Sequence, residues 1–306
     1  MRAQRGVAAV TALLIVAVAA STATYMLAQQ SAMLNQASLV ASRAQAELYA
    51  RAGLDWARGV IAQDAKSAGS VDSLDEGWAQ PIAGLPVERA LVAGQLGDEQ
   101  AKYNLNNLVR GSARSEPDVL ILRRLLTSLE IPPDLADAVI DWIDLDSDLS
   151  GIAGAEDGHY LALARPHRAA NQPLAQVEEL HRIRGFTPER VAKLRPHVTA
   201  LPSGTPVNAN TAAAEVLAAI LPELSPAQIN TLVESRRAKP MRSKAEIGER
   251  VKNLPPSALA TDLDVKSAHF RVRIQVAQDD VQLASEALIR REQNAATVVV
   301  WRRPLY

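Results

Sequence analysis

The chain contains no cysteine. That excludes disulfides, thiolate metal sites and cysteine nucleophiles, and it leaves the redox compartment open. Aromatic residues make up only 4% of the 306 positions, so packing must rest on small and aliphatic side chains. Neither sign of charge dominates: 33 Lys and Arg against 34 Asp and Glu give a net charge of −1. No global basic field therefore draws the protein to nucleic acid or to an anionic membrane surface. Charge is also locally absent, with none between Arg5 and Arg43, and proline is missing from Ala28 to Ala65. There is no glycine-rich phosphate loop, no histidine-rich metal motif and no G-x-S-x-G elbow. The five histidines (His159, His167, His181, His197, His269) are scattered. These gaps argue against an enzyme. What is present, 48% hydrophobic and 22% charged residues, suits a globular body of two domains, or of one domain with a large insertion.

The apolar run Val7–Leu27 can span a bilayer, which takes about 20 residues. A cleaved export signal is the competing reading. Its apolar core is normally about 7–15 residues long, and Ala17-Val18-Ala19 and Ser21-Thr22-Ala23 both offer small-x-small cut sites. The sequence that follows favours retention. Leu54, Ala57 and Ile61, with Trp56 and Val60 beside them, recur at helical spacing, so the apolar run continues into an amphipathic helix.

A polar loop, SAGSVDSLDEGW (67–78), precedes strand-like segments around Leu85–Val92. From about 109 to 260 the pattern predicts short helices separated by prolines and polar turns. An internal repeat lies there: YNLNNL (103–108) and VNANTA (207–212) each introduce a leucine-rich helix, a proline break and a second helix. A third helical pair is expected at 176–199, with Thr187 capping a helix that begins Pro188-Glu189. The end changes period. In HFRVRIQVA, Phe270, Val272, Ile274 and Val276 alternate with Arg271, Arg273 and Gln275, as in a half-buried strand. With VQLASEALIRR and TVVVWRR this predicts a three-stranded antiparallel meander.

Side-chain chemistry concentrates in DWIDLDSDLSGIAGAEDGHY (141–160). Asp141, Asp144, Asp146 and Asp148 are followed, after a glycine-rich turn, by Glu156 and Asp157. Hard carboxylate oxygens at this density, with carbonyls freed by Gly151 and Gly154, suit calcium. The spacing is not that of an EF-hand, since Leu149 and Ala155 stand where glycine and glutamate would be required. A solvated acidic loop is the plainer alternative. His159 and Tyr160 are expected to pack or cap, not to ligate.

The leader ending in Gly6, followed by VAAVTALLIV, resembles the class III signal of type IV pilins and pseudopilins. That resemblance implies a prepilin peptidase cutting between Gly6 and Val7 and methylating the new terminus, with the apolar helix retained in the inner membrane. Most members carry a glutamate at the fifth mature position, where this chain has Thr11. The substitution, with YNLNNL, DWIDLD, GAEDGHY, Glu178-Glu179-Leu180 and VNANTA, resembles the minor pseudopilin K family of type II secretion.

The resemblance implies an α+β fold. A long N-terminal transmembrane and amphipathic helix would pack on a small antiparallel, pilin-like sheet, with an all-helical SAM-like or helix-hairpin-helix domain inserted. The expected divisions are a leader at 1–6, the helix at 7–65, strands at 66–103, the inserted domain at 104–264 and strands at 265–306. It also implies one or two calcium ions, and a single-pass inner-membrane protein with its body in the periplasm. Its place would be the pseudopilus tip, where it initiates or limits assembly. Partners would be the I and J minor pseudopilins, the prepilin peptidase and the inner-membrane secretion platform, with no nucleic acid. The alternative is a membrane-anchored periplasmic DNA-uptake protein, resting on the basic hairpin HRIRGFTPERVAKLR with His181, Arg182, Arg184, Arg190, Lys193 and Arg195.

Overall fold

The computed structural model describes residues 4–67, 71–250 and 263–305. The start of the leader and the end of the helical stretch, 1–3 and 251–262, lie outside the described residues. The chain opens on one unbroken helix, α1 (Gln4–Ser67), of 64 residues. Absence of proline and a run of good helix formers permit this length, roughly 95 Å at the standard rise of about 1.5 Å per residue. From Gly6 to Ala41 every residue of α1 is exposed. From Ser42 onward it lies on the body, and the buried stripe Ala46, Ala50, Leu54, Ala57 and Ile61 follows helical spacing. Trp56 lies off that stripe and is half exposed.

The stripe packs on a five-stranded antiparallel sheet. Two hairpin strands, β1 (Ile82–Val87) and β2 (Ala90–Asp98), precede the insertion. Within it come β3 (Tyr103–Asn104), β4 (Val109–Arg110), β5 (Ala113–Arg114), α2 (Glu116–Ser128), α3 (Leu135–Ile143) and α4 (Asp157–Tyr160). They are followed by α5 (Pro188–Leu194), β6 (Val198–Thr199), β7 (Val207–Asn208), α6 (Ala214–Ile220), α7 (Pro226–Ala238), α8 (Lys244–Arg250) and β8 (Leu263–Asp264). The chain then returns as β9 (His269–Gln278), β10 (Val281–Arg291) and β11 (Thr297–Leu305), giving the sheet order β1-β2-β9-β10-β11. The last three strands form the meander that alternation predicts. Phe270, Val272, Ile274 and Val276 are buried against α1, while Arg273 and Gln275 face outward. Gly53 faces Ile274 of β9, whose side chain a Cβ there would touch at the ordinary contact distance of 3.4 Å. Buried aliphatic side chains such as Ile61, Ile274 and Ile289 each contribute about 1.5–3 kcal/mol.

The insertion has its own apolar core, built around Leu122, Leu125, Leu126, Val139, Ile140, Leu180, Leu194 and Leu217. It is not wholly helical. Each Asn-x-Asn segment starts on a two-residue strand that pairs in parallel with a segment far along the chain: β3 with β6, and β7 with β8. The sequence repeat therefore marks two units, each closed by such a pair, at 103–104 with 198–199 and at 207–208 with 263–264. The first half of the third predicted pair, Val177–Arg182, is a 3-10 helix, while Thr187 caps α5 by accepting from the Arg190 amide as expected.

His269 opens β9 in a buried position, with Nδ1 3.3 Å from Gln100 Oε1 and no partner at Nε2. Burial pushes its pKa down to about 4, aided by the nearby Arg290 charge. Below the unfolded value of about 6.5, the unfolded chain takes a proton that the fold refuses. The contribution is thus complete above about 6.5 and is lost as pH falls toward 4. Denaturant unfolding of the full chain and of His269→Gln should show the wild type losing about 2–3 kcal/mol relative to the variant between pH 7 and pH 4. A constant difference across that range would contradict the assignment.

Candidate metal site

The acidic stretch straddles the end of α3. Residues 135–143 are buried throughout, so Asp141 is carried into the interior with them. Asp141 Oδ1 accepts from the Ser150 amide at 2.9 Å, and Oδ2 is buried with no partner. Asp144 follows at the helix end and is 8% exposed, with Oδ1 buried and unpartnered. Glu156 is 7% exposed, and neither of its carboxylate oxygens has a partner. Four orphaned carboxylate oxygens in one region are costly unless something positive meets them.

The electrostatics agree. Burial, then the charges of Asp146 and Asp141, push Asp144 up to about 7. Burial, then Asp141 and Asp144, push Glu156 up to about 7 as well. Burial raises Asp141 also, against the hydrogen bonds from Ser150 that lower it. The turn between them fits closely. A Cβ on Gly154 would stand 2.5 Å from Asp141 Oδ2 and 2.8 Å from the Ser150 carbonyl. Gly151 has φ +67°, and a Cβ there would run into the Asp137 carboxylate.

Asp141, Asp144 and Glu156 lie near enough to raise one another's pKa, although their ligand atoms do not all come within 4.8 Å of one another, and Asp146 is at the exposed rim. The other two predicted residues are not part of this group. Asp148 is exposed and gives its amide to Asp146 Oδ1 at 2.9 Å. Asp157 turns away to Arg168 Nη1 and the Ala169 amide, both at 3.0 Å. Tyr160 packs edge-on to Trp142 at 5.2 Å, and His159 packs on Tyr160, so neither points to ligation. The donors present are all oxygen and the orphaned atoms are carboxylate, which fits a hard cation of the calcium type.

Sequence reasoning missed a second cluster. Among the described residues, the carboxylates whose ligand atoms all lie within 4.8 Å of one another are Asp64, Asp72 and Glu76. They come from the end of α1 and the loop after it, with no motif to announce them.

The basic hairpin is engaged within the fold. Arg184 donates to the Gly154 carbonyl at 2.9 Å and Arg190 to that of Gly185 at 2.6 Å. Lys193 pairs with Glu130, and Arg195 with Glu178. At the N-terminus, Gly6 and Val7 lie exposed in the first turns of α1. The Thr11 hydroxyl donates to the carbonyls of Val7 and Ala8, both at 3.0 Å.

Two family models described as type II secretion system protein K match this chain, one over residues 101–203 and one over 207–272. Their boundary falls between the two closed units. A type II secretion system protein K from Pseudomonas aeruginosa is 34% identical over 290 residues, covering 91% of this chain and 86% of its own. One from Aeromonas hydrophila is 30% identical, covering 98% and 97%. Among solved structures, the GspK-GspI-GspJ complex from enterotoxigenic Escherichia coli contains a chain that matches at TM-score 0.77 and 27% identity. That match covers 86% of this chain and 96% of the other.

The glycine turn supports a direct check. Gly154→Ala should destabilise the inserted domain by about 1–3 kcal/mol, because the added methyl meets the backbone carbonyl of Ser150 as well as Asp141. Thermal unfolding followed by circular dichroism would read the loss, and an unchanged midpoint would refute the close fit.

Proposed function

The chain belongs to the type II secretion system protein K family and is a minor pseudopilin of that system; from that premise we propose that it works at the pseudopilus tip. There it joins minor pseudopilins of the I and J families and initiates or limits the filament, as a structural subunit without catalysis. The observation that carries this reading is α1. Its residues 6–41 are exposed, uncharged and mostly apolar, and they project from a body that covers only the second half of the helix. Such a surface needs a bilayer or neighbouring helices to cover it. The apolar half anchors the chain in the inner membrane, and the body then lies in the periplasm after the prepilin peptidase cuts between Gly6 and Val7 and methylates the new terminus. The secretion platform of that membrane is the further partner.

Thr11 supports a terminal place in the filament. A glutamate at that position would need a positive partner in apolar surroundings. The Thr11 hydroxyl closes instead on its own helix, so this subunit asks no neighbouring terminus for a charge. The inserted domain adds bulk that a narrow helical shaft could not repeat at every subunit. Its paired short helices, carried as two closed units, are read as a SAM-like or helix-hairpin-helix arrangement adapted to protein contact. The relatives give the nucleic-acid alternative no support.

A calcium ion at the acidic loop would be held by Asp144, Glu156 and the free Oδ2 of Asp141, with Asp146 at the rim. Bound there, it supplies positive charge that joins the end of α3 to the loop around Gly154. The chain's own residues set the site: α3 fixes Asp141 and Asp144, and the Ser150 amide orients Asp141.

Two outcomes test the proposal. Co-expression of the full chain with its I and J counterparts and a prepilin peptidase should give a detergent-stable ternary complex. Intact mass should show this chain shortened by residues 1–6 and carrying one added methyl. Failure to co-purify would overturn the tip assignment, and a cut near Ala19 or Ala23 would overturn the retained anchor. For the acidic loop, calcium at a hundred times its dissociation constant should stabilise the full chain by about 2.7 kcal/mol. Asp144→Asn with Glu156→Gln should abolish most of that gain, read as the midpoint difference between calcium and chelator.

A further inference from the structure

The second acidic cluster lies away from the loop just described, where the anchor helix, the sheet and the insertion meet. Asp64 is in the last turn of α1, where unsatisfied carbonyls make the helix end negative and a carboxylate is unfavourable. Asp72 is on the loop that follows, with its side chain 1% exposed. Glu76 accepts from the Ser73 amide at 3.1 Å and from Trp78 Nε1 at 2.6 Å. Ligand atoms of the three residues converge within 4.8 Å.

One cation of the fold already touches the cluster. Arg291 reaches Asp64 Oδ2 at 3.2 Å and also binds Asp72 Oδ2. Its guanidinium lies over Phe270 at 5.1 Å and donates to the Ser267 carbonyl at 2.6 Å, so it is fixed in place. Arg291 pairs with Asp64 and Asp72, while the donors to Glu76, the Ser73 amide and the Trp78 indole, are neutral. Asp72 Oδ2 accepts from Arg291 and from the Ser267 amide at 2.8 Å, while its Oδ1 is buried with no hydrogen-bond partner. A fully buried carboxylate oxygen without a donor, inside a convergent set of acids, calls for a cation.

We propose that Asp64, Asp72 and Glu76 form a second divalent-cation site, selective for calcium-type ions, that clamps the end of the anchor helix to the body. The donor set is all oxygen, with no histidine or cysteine, so it favours hard cations over zinc or copper. Water completes the coordination on the side where Asp64 and Glu76 are only half buried. Burial and the mutual repulsion of the three acids raise the pKa of both Asp64 and Glu76, as expected for a set poised to take positive charge. The position gives the ion a mechanical role. Asp72 also accepts from Asn208 Nδ2 through its carbonyl at 3.0 Å, and its amide donates to the Val265 carbonyl at 2.9 Å. Trp78, held by Glu76, packs edge-on to Phe270 at 5.2 Å in the helix–sheet core. An ion here would tie α1, β10 and the second Asn-x-Asn unit at one point.

The test uses the full chain in detergent and calcium chloride as the probe. Asp144→Asn with Glu156→Gln first removes the acidic loop's contribution, so the result does not depend on that loop binding calcium. In this background, calorimetry should still show one bound calcium per chain, and amide exchange across residues 72–79 should slow on calcium addition. Adding Glu76→Gln should weaken that binding at least about tenfold, since affinity follows the number of charged ligands. Asp64→Asn, at a half-buried position that a neutral amide can occupy, should do the same and guards against a folding defect in either variant alone. No calcium bound in the background protein would overturn the proposal. So would residual binding that neither substitution weakens, or exchange across 72–79 that ignores calcium.

Discussion

The pairing of β2 with β9 is the constraint on which the rest of the molecule depends. Its register sets Asp98 opposite Phe270, so the chain leaves the sheet and returns to it on adjacent strands at the same level. An insertion of this size would otherwise separate two strands that must touch. With its ends held side by side, the closure cost grows only slowly with length. The joint is sealed by a polar hub. The buried Asp98 carboxylate accepts from the Gln100 amide at 2.8 Å, Thr211 Oγ1 at 2.6 Å, Ser267 Oγ at 2.6 Å and Asn208 Nδ2 at 3.1 Å. Burial pushes its pKa up to about 6 in spite of those donors. Losing Asp98 would strand several buried donors at once, each costing about 1–3 kcal/mol.

A second, ionic joint lies beside it on the outward face of the sheet. Glu99 and Glu286 are both buried, and Arg271 bridges them at 2.8 and 3.4 Å. Lys102 pairs with Glu99 at 2.8 Å, Arg303 with Glu286 at 2.9 Å, and Arg303 also bonds to Gln176 of the insertion. The cations hold both glutamates below the usual carboxylate range, against the opposing effect of burial. Buried ion pairs add little net stability, yet breaking one partner is expensive. They therefore fix geometry more than they add strength. The insertion is oriented on the sheet by charge and held in register by the hub.

How much of this could be read from the sequence follows from the range of each interaction. The β9 alternation and the α1 stripe were legible because their periods are local, and the Thr187 cap because it reaches only three residues. The acidic loop was half legible. Six acids in a row suggested one site, but Asp157 turns to Arg168 and Asp148 to solvent, since neighbours in sequence need not face the same way. The two-residue parallel strands were not legible. Tyr103-Asn104 has no period, and its partner Val198-Thr199 is supplied from far along the chain. What the repeat did reveal was the role of asparagine without its reason. Asn106 donates to the Leu174 and Leu201 carbonyls and accepts from the Leu174 amide. Asn210 both donates to and accepts from the backbone of Met241. An amide side chain imitates a strand edge where the real strand is only two residues long.

The exposed, apolar half of α1 then sets what the body must do. Between Arg5 and Arg43 the helix offers no charge, and its hydroxyls at Thr11, Thr22 and Thr24 bond back to their own helix. Association along that surface is apolar, and apolar attraction has strength without direction. Register and partner choice must therefore come from the folded half. There, small residues at Ala46, Ala50 and Ala57 let the helix lie close on the sheet, against β9 and β10. The stripe ends at Ile61, and Asp64 with Arg291 takes over one turn later. The apolar grip and the ionic clamp thus divide the helix between them.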